Sequence, residues 1–309
     1  MEPIRFDGQV AVVTGAGRGL GRAHARLLAE LGAAVVVNDA GRARDGAPEG
    51  SAADEVVAEI RDAGGRAVAS SHDVTDSAQV DAMIALAQDE LGGLDAVISN
   101  AGFLRDATLT NLSDDDLRSV VDVHLVGGLF VARAAMRAFR EQGYGRIVLT
   151  TSAAGLYGNV GQANYGAAKL GLVGAVKVLA LEGRKRGVLV NAVAPAARTR
   201  MLDGVPLGRL GEHIAPEQAS PLFAYLCSRA CTASGEIFEA GGGAHRRVMI
   251  GATDGWFAGV DAVPSVDDVA AHWDEITADD RLAFPTDAIA ANGTFFAPMM
   301  GALRAERSR

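Results

Sequence analysis

Residues 10–21, VAVVTGAGRGLG, decide the fold of this 309-residue chain. The run Val10–Thr14 is apolar at every position but the last, which is typical of a strand covered on both faces. A turn with four glycines follows, and apolar side chains then recur at helical spacing from Leu20 to Leu31. Glycine lets the backbone bend sharply, and the first turn of a helix offers free N–H groups to an anion. This order of strand, turn and helix therefore predicts a phosphate-binding turn.

The spacing of the turn, G-x-x-x-G-x-G, and the residues after it narrow the expected ligand to a dinucleotide. Asp39 ends the second apolar run, 20 residues after Gly19. A carboxylate there accepts hydrogen bonds from the adenosine ribose and repels a 2′-phosphate, which predicts NAD as the cofactor. Asp73 and Val74 are expected near the adenine, although Asp is also common in ordinary turns. The turn residues expected to contact NAD are Gly15, Arg18, Gly19, Leu20 and Gly21.

Short apolar runs alternate with segments of helical periodicity along the chain, and this alternation predicts a doubly wound, Rossmann-type α/β fold. The expected sheet is parallel and carries helices on both faces, because most of the runs are apolar throughout. The predicted strands are Val10–Thr14, Ala34–Asn38, Ala67–Ser70, Ala96–Ser99, Arg146–Thr151, Val188–Val193 and Ile237–Ala240.

Three polar residues form the sharpest chemical pattern in the chain, namely Ser152, Tyr165 and Lys169. Tyr165 and Lys169 are four residues apart and so share one face of a predicted helix. An ammonium beside a phenol favours the phenolate, so the pair predicts a general acid/base in which Lys169 lowers the pKa of Tyr165. Ser152 closes a predicted strand, where its hydroxyl would bind the same substrate oxygen.

The strand pattern ends near Gly243. Residues 1–245 are therefore expected to form a dinucleotide-binding catalytic domain, and residues 246–309 a C-terminal helical extension. Ser265 and Asp268 have the spacing of a capping box and predict a helix that carries apolar residues from Val266 to Ile276. We expect this extension to pack on the core or on a partner subunit.

The composition argues against several classes of partner. The net charge is −9, so neither nucleic acid nor an anionic membrane surface is expected to bind. The most apolar stretch, Leu170–Leu181, is too short to span a bilayer, and the N-terminus lacks the pattern of a signal peptide. Two cysteines are too few for a disulfide framework or a structural zinc site. These features favour a cytoplasmic location and no bound metal.

Taken in chain order, the motifs resemble those of the short-chain dehydrogenase/reductase family. The matching residues are Thr14-Gly15 through Gly21, Asn100-Ala101-Gly102, Ser152, and Tyr165 to Lys169. Within that family, the chain resembles the (3R)-hydroxyacyl-CoA dehydrogenase region of peroxisomal multifunctional enzyme type 2, and in particular its stand-alone bacterial relatives. The stretch TSAAGLYGNVGQANYGAAKLGLVG, residues 151–174, carries much of this similarity.

The resemblance implies a role for each motif residue. Tyr165 would exchange the substrate proton, Lys169 would bind the nicotinamide ribose, and Ser152 would orient the substrate oxygen. His124 stands where the family often has an Asn of a proton relay, and it is expected either to join that relay or to be an interior histidine. The other implied cofactor contacts are Asn100, Ala101, Gly102, Pro195 and Thr199.

Motifs and resemblance together predict reversible hydride transfer between NAD and a secondary alcohol or ketone, with a (3R)-3-hydroxyacyl-CoA as the expected substrate. A steroid or another free secondary alcohol is the alternative substrate. A non-catalytic NAD-binding sensor is the alternative from another class, but a sensor does not need an activated phenol.

The predicted helix that carries Tyr165 is apolar nearly all round from Leu170 to Leu181. One face is expected to pack on the sheet. The other, with Leu170, Val173 and Val178, predicts an isologous interface and hence a homodimer or homotetramer.

Overall fold

Short runs rich in valine and alanine form the seven parallel strands that the sequence predicts, each within two residues of its expected bounds. The computed structural model describes residues 3–41, 50, 52–198, 208 and 213–307. The strands are β1 (Val10–Thr14), β2 (Ala34–Asn38), β3 (Arg66–Ser70), β4 (Ala96–Ser99), β5 (Gly145–Thr150), β6 (Val188–Pro195) and β7 (Ile237–Gly241).

The strands lie in the order β3-β2-β1-β4-β5-β6-β7-β8, where β8 comprises Ala244–Val248. The chain adds strands on one side of β1 first and then turns to the other side at β4. The carboxyl ends of β1 and β4 therefore border the crevice in which doubly wound sheets bind their ligands. This is the predicted fold class, and it places the glycine turn beside the segment that follows β4.

Helices form two groups around the sheet, since α1 contacts α2 and α8, whereas α5 contacts α3 and α7. The first group consists of α1 (Gly19–Glu30), α2 (Ala52–Asp62) and α8 (Ser220–Cys227). The second consists of α3 (Ser77–Leu91), α4 (Asp114–Val121), α5 (Gly127–Gln142) and α7 (Ala163–Gly183), with the short α6 (Ala153–Tyr157) packed against α7.

Helices α4 and α5 are continuous through a π-helical turn at Asp122–Val126, where the Gly127 N–H donates to the Asp122 carbonyl. The sequence predicts a regular helix through His124, and the extra residue in this turn is not visible in the apolar spacing. By length and composition alone, the joined helix Asp114–Gln142 is one that could cross a membrane. It contacts α3, α7 and the sheet, so its apolar side is used by the core.

Strand β8 is absent from the sequence prediction, because its residues AHRRV show no apolar alternation and nearly all are exposed. It follows β7 through a short glycine turn, and a connection of this length joins only antiparallel strands. Arg246 forms an ion pair with Glu239, and Arg247 forms one with Glu236. These pairs join β8 to the sequence around β7.

The chain divides into two compact units, Met1–Arg247 and Val248–Arg309, two residues beyond the expected boundary at 245/246. In the second unit the predicted capping box of Ser265 and Asp268 is present. The single helix predicted after it is wrong, because the backbone at His272 is non-helical (φ −106°, ψ 17°). The unit contains β9 (Ala252–Thr253), β10 (Leu282–Ala283), α9 (Val266–Ala271), α10 (Trp273–Thr277), α11 (Ala288–Phe295) and α12 (Ala297–Arg307).

Helix α7 leaves an apolar stripe exposed in this single chain. Leu170, Val178 and Leu181 are 49%, 54% and 50% exposed, and Gly174 lies between them at helical spacing. Val173 was predicted on this outer face, and that prediction is wrong, because Val173 is 2% exposed and belongs to the core. We call Leu170, Gly174, Val178 and Leu181 the α7 outer stripe.

A buried histidine joins α1 to α8. His24 is 1% exposed, its Nδ1 lies 2.8 Å from Ser220 Oγ, and its ring stacks on Phe223 at 4.0 Å. Its Nε2 is buried and has no hydrogen-bond partner among the described residues. Burial lowers the pKa of His24 to about 3, so the ring is neutral at physiological pH.

We expect His24 to make the fold sensitive to mild acid. Its pKa is depressed in the folded protein but ordinary, near 6.5, in the unfolded chain, so unfolding is favoured as pH falls below 6.5 towards 3. Between pH 7 and pH 5, the free energy of unfolding should fall by about 2 kcal/mol more in the unmodified protein than in His24→Gln. Denaturant titrations at both pH values measure this difference, with His245→Gln on exposed β8 as the control. If the free energy of unfolding falls equally in the unmodified protein and in His24→Gln, His24 is not the source of the acid sensitivity.

Candidate active site

One threonine hydroxyl joins the glycine turn to the segment after β4. Thr14 Oγ1 accepts the backbone N–H groups of Asn100 and Ala101, at 2.9 and 3.1 Å. In return, the Asn100 side-chain amide donates to the carbonyls of Thr14 and Gly15, both at 3.3 Å. A Cβ on Gly15 would stand 2.7 Å from the Ala101 Cα, so only glycine fits here. The two segments predicted to bind the cofactor are therefore in contact.

Asp39 lies directly against the glycine turn. Its Oδ2 accepts the Gly17 N–H at 3.0 Å, and its Oδ1 accepts the Gly41 N–H at 2.9 Å. A Cβ on Gly17 would come within 2.7 Å of the same carboxylate, and one on Gly21 would collide with the Gly15 carbonyl. The result is a cradle lined by backbone at the start of α1, with a carboxylate at its rim. These residues fit a dinucleotide, with the pyrophosphate at the helix N-terminus and the ribose at Asp39.

The other residues that are predicted to contact the cofactor lie in different environments. Arg18 precedes α1 in an extended conformation and is exposed. The Asp73 carboxylate accepts hydrogen bonds from the backbone and hydroxyl of Thr75, as in an ordinary Asx turn. Val74 is buried, and Pro195 ends β6. Thr199 lies outside the described residues.

Ser152 and Tyr165 come together at the carboxyl edge of the sheet. Ser152 follows β5 and caps α6, with its Oγ accepting the Ala154 N–H at 3.2 Å, so it begins a helix rather than ending the strand as predicted. Tyr165 lies in the first turn of α7, is 8% exposed, and lies close enough to the Ser152 hydroxyl for that group to act on its pKa. A substrate oxygen at this pair would meet two hydroxyl groups.

Lys169 is buried one helical turn after Tyr165, with 3% exposure. Its Nζ donates to the Thr150 carbonyl at 2.7 Å, while its own carbonyl accepts from Thr151 Oγ1 at 2.7 Å. Burial lowers the pKa of Lys169 to about 7. The side chain is therefore firmly anchored to the end of β5, and its charge is sensitive to pH near neutrality.

The pKa of Tyr165 is raised, and the prediction that Lys169 lowers it is wrong in this structure. Burial raises this pKa, the Ser152 hydroxyl opposes the rise only in part, and the nearby Asp106 carboxylate adds to it. The Lys169 Nζ is 5.6 Å from the centre of the Tyr165 ring and is engaged with Thr150. The phenol therefore holds its proton at neutral pH, the form needed to protonate a carbonyl oxygen.

His124 is buried in the π-helical turn and meets Tyr165 edge-on, with 5.0 Å between the ring centres. Its Nε2 lies 2.7 Å from the Phe103 carbonyl and 3.2 Å from the Phe103 N–H, while Nδ1 is buried without a partner among the described residues. Burial and the charge of Lys169 hold the pKa of His124 well below its usual value. A Cβ on Gly102 would collide with this ring. His124 thus contacts both the proposed base and the cofactor segment, and its part in a proton relay stays a prediction.

Sequence reasoning brought most of these residues to one place but missed Thr14 as the connecting group. The sequence gives only a weak signal for this role of Thr14, because a threonine before a glycine turn is also a common way for a strand to end. Across the described residues, no three His, Cys, Asp or Glu side chains form a group that could hold a metal ion.

Comparisons with known proteins agree with this geometry. A family model for short chain dehydrogenases matches residues 9–206. The chain is 52% identical over 270 residues to a short-chain type dehydrogenase/reductase of Mycobacterium tuberculosis, covering 87% of this chain and 94% of that protein. It is 40% identical over 249 residues to a hydroxyacyl-CoA dehydrogenase of the same organism, covering 75% of this chain and 77% of that protein.

Among solved structures, full-length peroxisomal multifunctional enzyme type 2 from Drosophila melanogaster superposes with a TM-score of 0.82 and 35% identity. The match covers 96% of this chain and 50% of that chain, so it spans half of the larger protein. The family model covers the glycine turn, Ser152, Tyr165 and Lys169, the residues that the fold gathers at one edge of the sheet. The chain is therefore an oxidoreductase of the short-chain dehydrogenase/reductase family.

Proposed function

We propose that the chain catalyses reversible, NAD-dependent oxidation of a (3R)-3-hydroxyacyl-CoA to the 3-oxoacyl-CoA. The observation that carries the proposal is the buried Tyr165, close to Ser152 and one helical turn before Lys169, beside a cradle that fits a dinucleotide. A relative covered over three quarters of its length is named a hydroxyacyl-CoA dehydrogenase, which supports the choice of substrate.

Each residue of the site has a defined part in this proposal. NAD would supply the hydride acceptor, and the glycine turn, Asp39 and the segment Asn100–Gly102 would hold it. The Tyr165 phenol gives its proton to the carbonyl oxygen during reduction, and the phenolate takes the proton of the substrate hydroxyl during oxidation. Ser152 orients the substrate oxygen, and Lys169 would bind the nicotinamide ribose.

A substrate panel tests the proposal directly. NAD and NADP are each offered with (3R)- and (3S)-3-hydroxyacyl-CoAs, free hydroxysteroids and simple secondary alcohols, and reduction is followed by absorbance. Turnover restricted to the (3R)-acyl-CoAs supports the proposal. Preference for free alcohols would select the alternative substrate class, and cofactor binding without any turnover would indicate a sensor.

Tyr165→Phe should abolish turnover while leaving the fold and dinucleotide binding intact, because it removes only the ionisable oxygen. We expect kcat to fall by at least about a hundredfold, the lower range for loss of a general acid/base. Steady-state kinetics and calorimetric cofactor binding measure the two effects. Tyr225→Phe, at an exposed position of α8, is the matched control. Activity of Tyr165→Phe close to that of the control would remove Tyr165 from the mechanism.

The proposed preference for NAD rests on the position of Asp39. Its carboxylate lies beside the turn that would hold the pyrophosphate, so the adenosine ribose hydroxyls would come within its reach. A 2′-phosphate would bring like charges together, which costs several kcal/mol on a rough Coulomb estimate. Arg18, which is exposed on the same turn, and Arg42, which lies outside the described residues, are the groups that would favour NADP. A single flexible arginine does not offset that repulsion.

We expect kcat/KM with NAD to exceed that with NADP by at least about a hundredfold, or about 2.7 kcal/mol. Asp39→Ser should shrink this ratio, by weakening NAD binding and relieving the repulsion of NADP. Parallel kinetics with both cofactors measure the ratio, with Asp62→Ser at the exposed end of α2 as the control. Equal efficiency with both cofactors in the unmodified enzyme would overturn this interpretation of Asp39.

The α7 outer stripe supports a proposed homodimer in which a second copy covers it across a two-fold axis. Four exposed residues at helical spacing form a continuous apolar strip, and Gly174 allows close approach of a second helix, since no atom lies within 4 Å of its Cβ position.

The free, buried Cys227 and Cys231 are compatible with the proposed cytoplasmic location.

Leu170→Glu together with Val178→Glu should convert the dimer to monomers, because the two carboxylates would meet their symmetry copies in an apolar interface. Light scattering at micromolar concentration measures the mass. Leu109→Glu, at an exposed position outside the stripe, is the control and should leave the dimer intact. A monomeric unmodified protein, or a dimer in the double variant, would exclude this interface.

A further inference from the structure

The segment that follows the cofactor cradle is fastened to the start of helix α7. We call Phe103–Ala107 the strap. The Asn164 amide donates to the Arg105 carbonyl at 3.1 Å, the Gln162 amide donates to Asp106 Oδ2 at 2.9 Å, and the Ala107 N–H donates to the Gly161 carbonyl at 2.9 Å. Three consecutive residues of the strap are thus bonded to three of the four residues before Tyr165.

Asn164 is the buried part of this connection. It is 3% exposed, and its amide also donates to the Asp116 carbonyl of α4 at 3.3 Å. Its Oδ1 accepts the backbone N–H of Tyr165 at 2.8 Å. Both amide hydrogens and the oxygen are therefore used. The side chain holds the strap, α4 and the backbone of Tyr165 at one point.

Gln162 is the half-buried part of the connection. It is the residue before α7, where a side chain often caps its own helix, but it makes no such hydrogen bond. Its side-chain N–H instead donates to Asp106, and its side-chain oxygen accepts from Asn159 Nδ2 at 3.0 Å. The side chain therefore connects the start of α7 to the strap rather than terminating the helix.

At its other end the strap begins in the cradle itself. It follows Gly102 directly, and the preceding Asn100 and Ala101 are bonded to Thr14. Phe103 is held by the His124 ring, which in turn contacts Tyr165. The strap thus connects the segment that is bonded to Thr14 with the residues that precede Tyr165.

We infer that Asn164 and the Asp106–Gln162 pair are positioning residues, which fix the Tyr165 hydroxyl relative to the cofactor cradle through the strap. This inference rests on the proposed role of Tyr165 in proton transfer. Breaking the strap should lower kcat and leave the dissociation constant of the dinucleotide nearly unchanged, because the glycine turn and Asp39 are not touched.

The first experiment is a double-mutant cycle between Asn164→Ala and Tyr165→Phe. Asn164→Ala alone should lower kcat at least about tenfold, with cofactor affinity within about twofold of the unmodified enzyme. In the Tyr165→Phe background, Asn164→Ala should have no further effect on residual single-turnover hydride transfer, because it acts through the phenol. Additive losses would show a general structural effect and overturn the inference.

The second experiment reverses the exposed hydrogen bond and does not depend on the buried site. Gln162→Glu places two carboxylates in contact, and kcat should fall at least about fivefold. Adding Asp106→Asn restores a hydrogen bond of opposite direction, because the new amide at position 106 donates to the new carboxylate at position 162. In this double variant kcat should recover to within about twofold of the unmodified enzyme. Asp115→Asn, an exposed carboxylate of α4, controls for loss of surface charge. No recovery in the double variant would contradict the inference.

In both experiments kcat is compared at the plateau of its full pH profile. This is necessary because the charge of Asp106 also raises the pKa of Tyr165. Among the residues that the structure describes, the other titratable groups that face Tyr165 are His124 of the π-helical turn and Lys169 of α7.

If no substrate turns over, the proposed function has failed, and the strap is then tested by ultraviolet titration of the phenol. The Tyr165 signal is the difference between each protein and the same protein with Tyr165→Phe. Because burial raises the pKa of Tyr165, loosening the strap in Asn164→Ala should lower this pKa towards its ordinary value. An unchanged pKa in this variant would overturn the inference without reference to activity.

Discussion

The Thr14 hydroxyl accepts two backbone N–H groups from the end of β4, and the geometry of the site follows from this contact. It joins the two strands between which the direction of sheet assembly reverses, so the crevice there has a fixed width. On one side of the contact lies the glycine turn with Asp39, and on the other the segment Asn100–Gly102. The side chain that packs against Gly102 is His124, which touches Tyr165. Cofactor cradle and proton-transfer group are therefore parts of one packed assembly.

Burial, more than the pairing of charges, sets the proton affinities in this assembly. Tyr165, Lys169 and His124 are all nearly inaccessible, and desolvation favours the neutral form of each. A neutral phenol, a lysine that titrates near pH 7 and a neutral imidazole are a low-charge arrangement. Such a site can receive an uncharged carbonyl or alcohol group without the cost of burying an unpaired ion.

The parallel strands and the approximate site could be predicted because both depend on local patterns. Apolar runs define β1 to β7, and the spacing of Tyr165 and Lys169 places them on one helix face. Features that depend on tertiary contacts could not be predicted in this way. The π-helical turn at His124 has no signature in apolar spacing, and the raised pKa of Tyr165 depends on how deeply α7 is buried. Strand β8 is stabilised by ion pairs between arginines and glutamates, so it lacks the alternation by which strands are recognised.

Strand β8 lies at the edge of the sheet, so its side chains affect whether copies of the chain associate edge to edge. A sheet edge offers unpaired backbone groups that another edge can join, and a long apolar edge invites such growth. Here the outermost strand carries His245, Arg246 and Arg247, all exposed. Two copies brought edge to edge would set arginine against arginine, at a cost in repulsion and lost hydration. The charged side chains of β8 thus disfavour growth of the sheet from this edge into a larger assembly of copies.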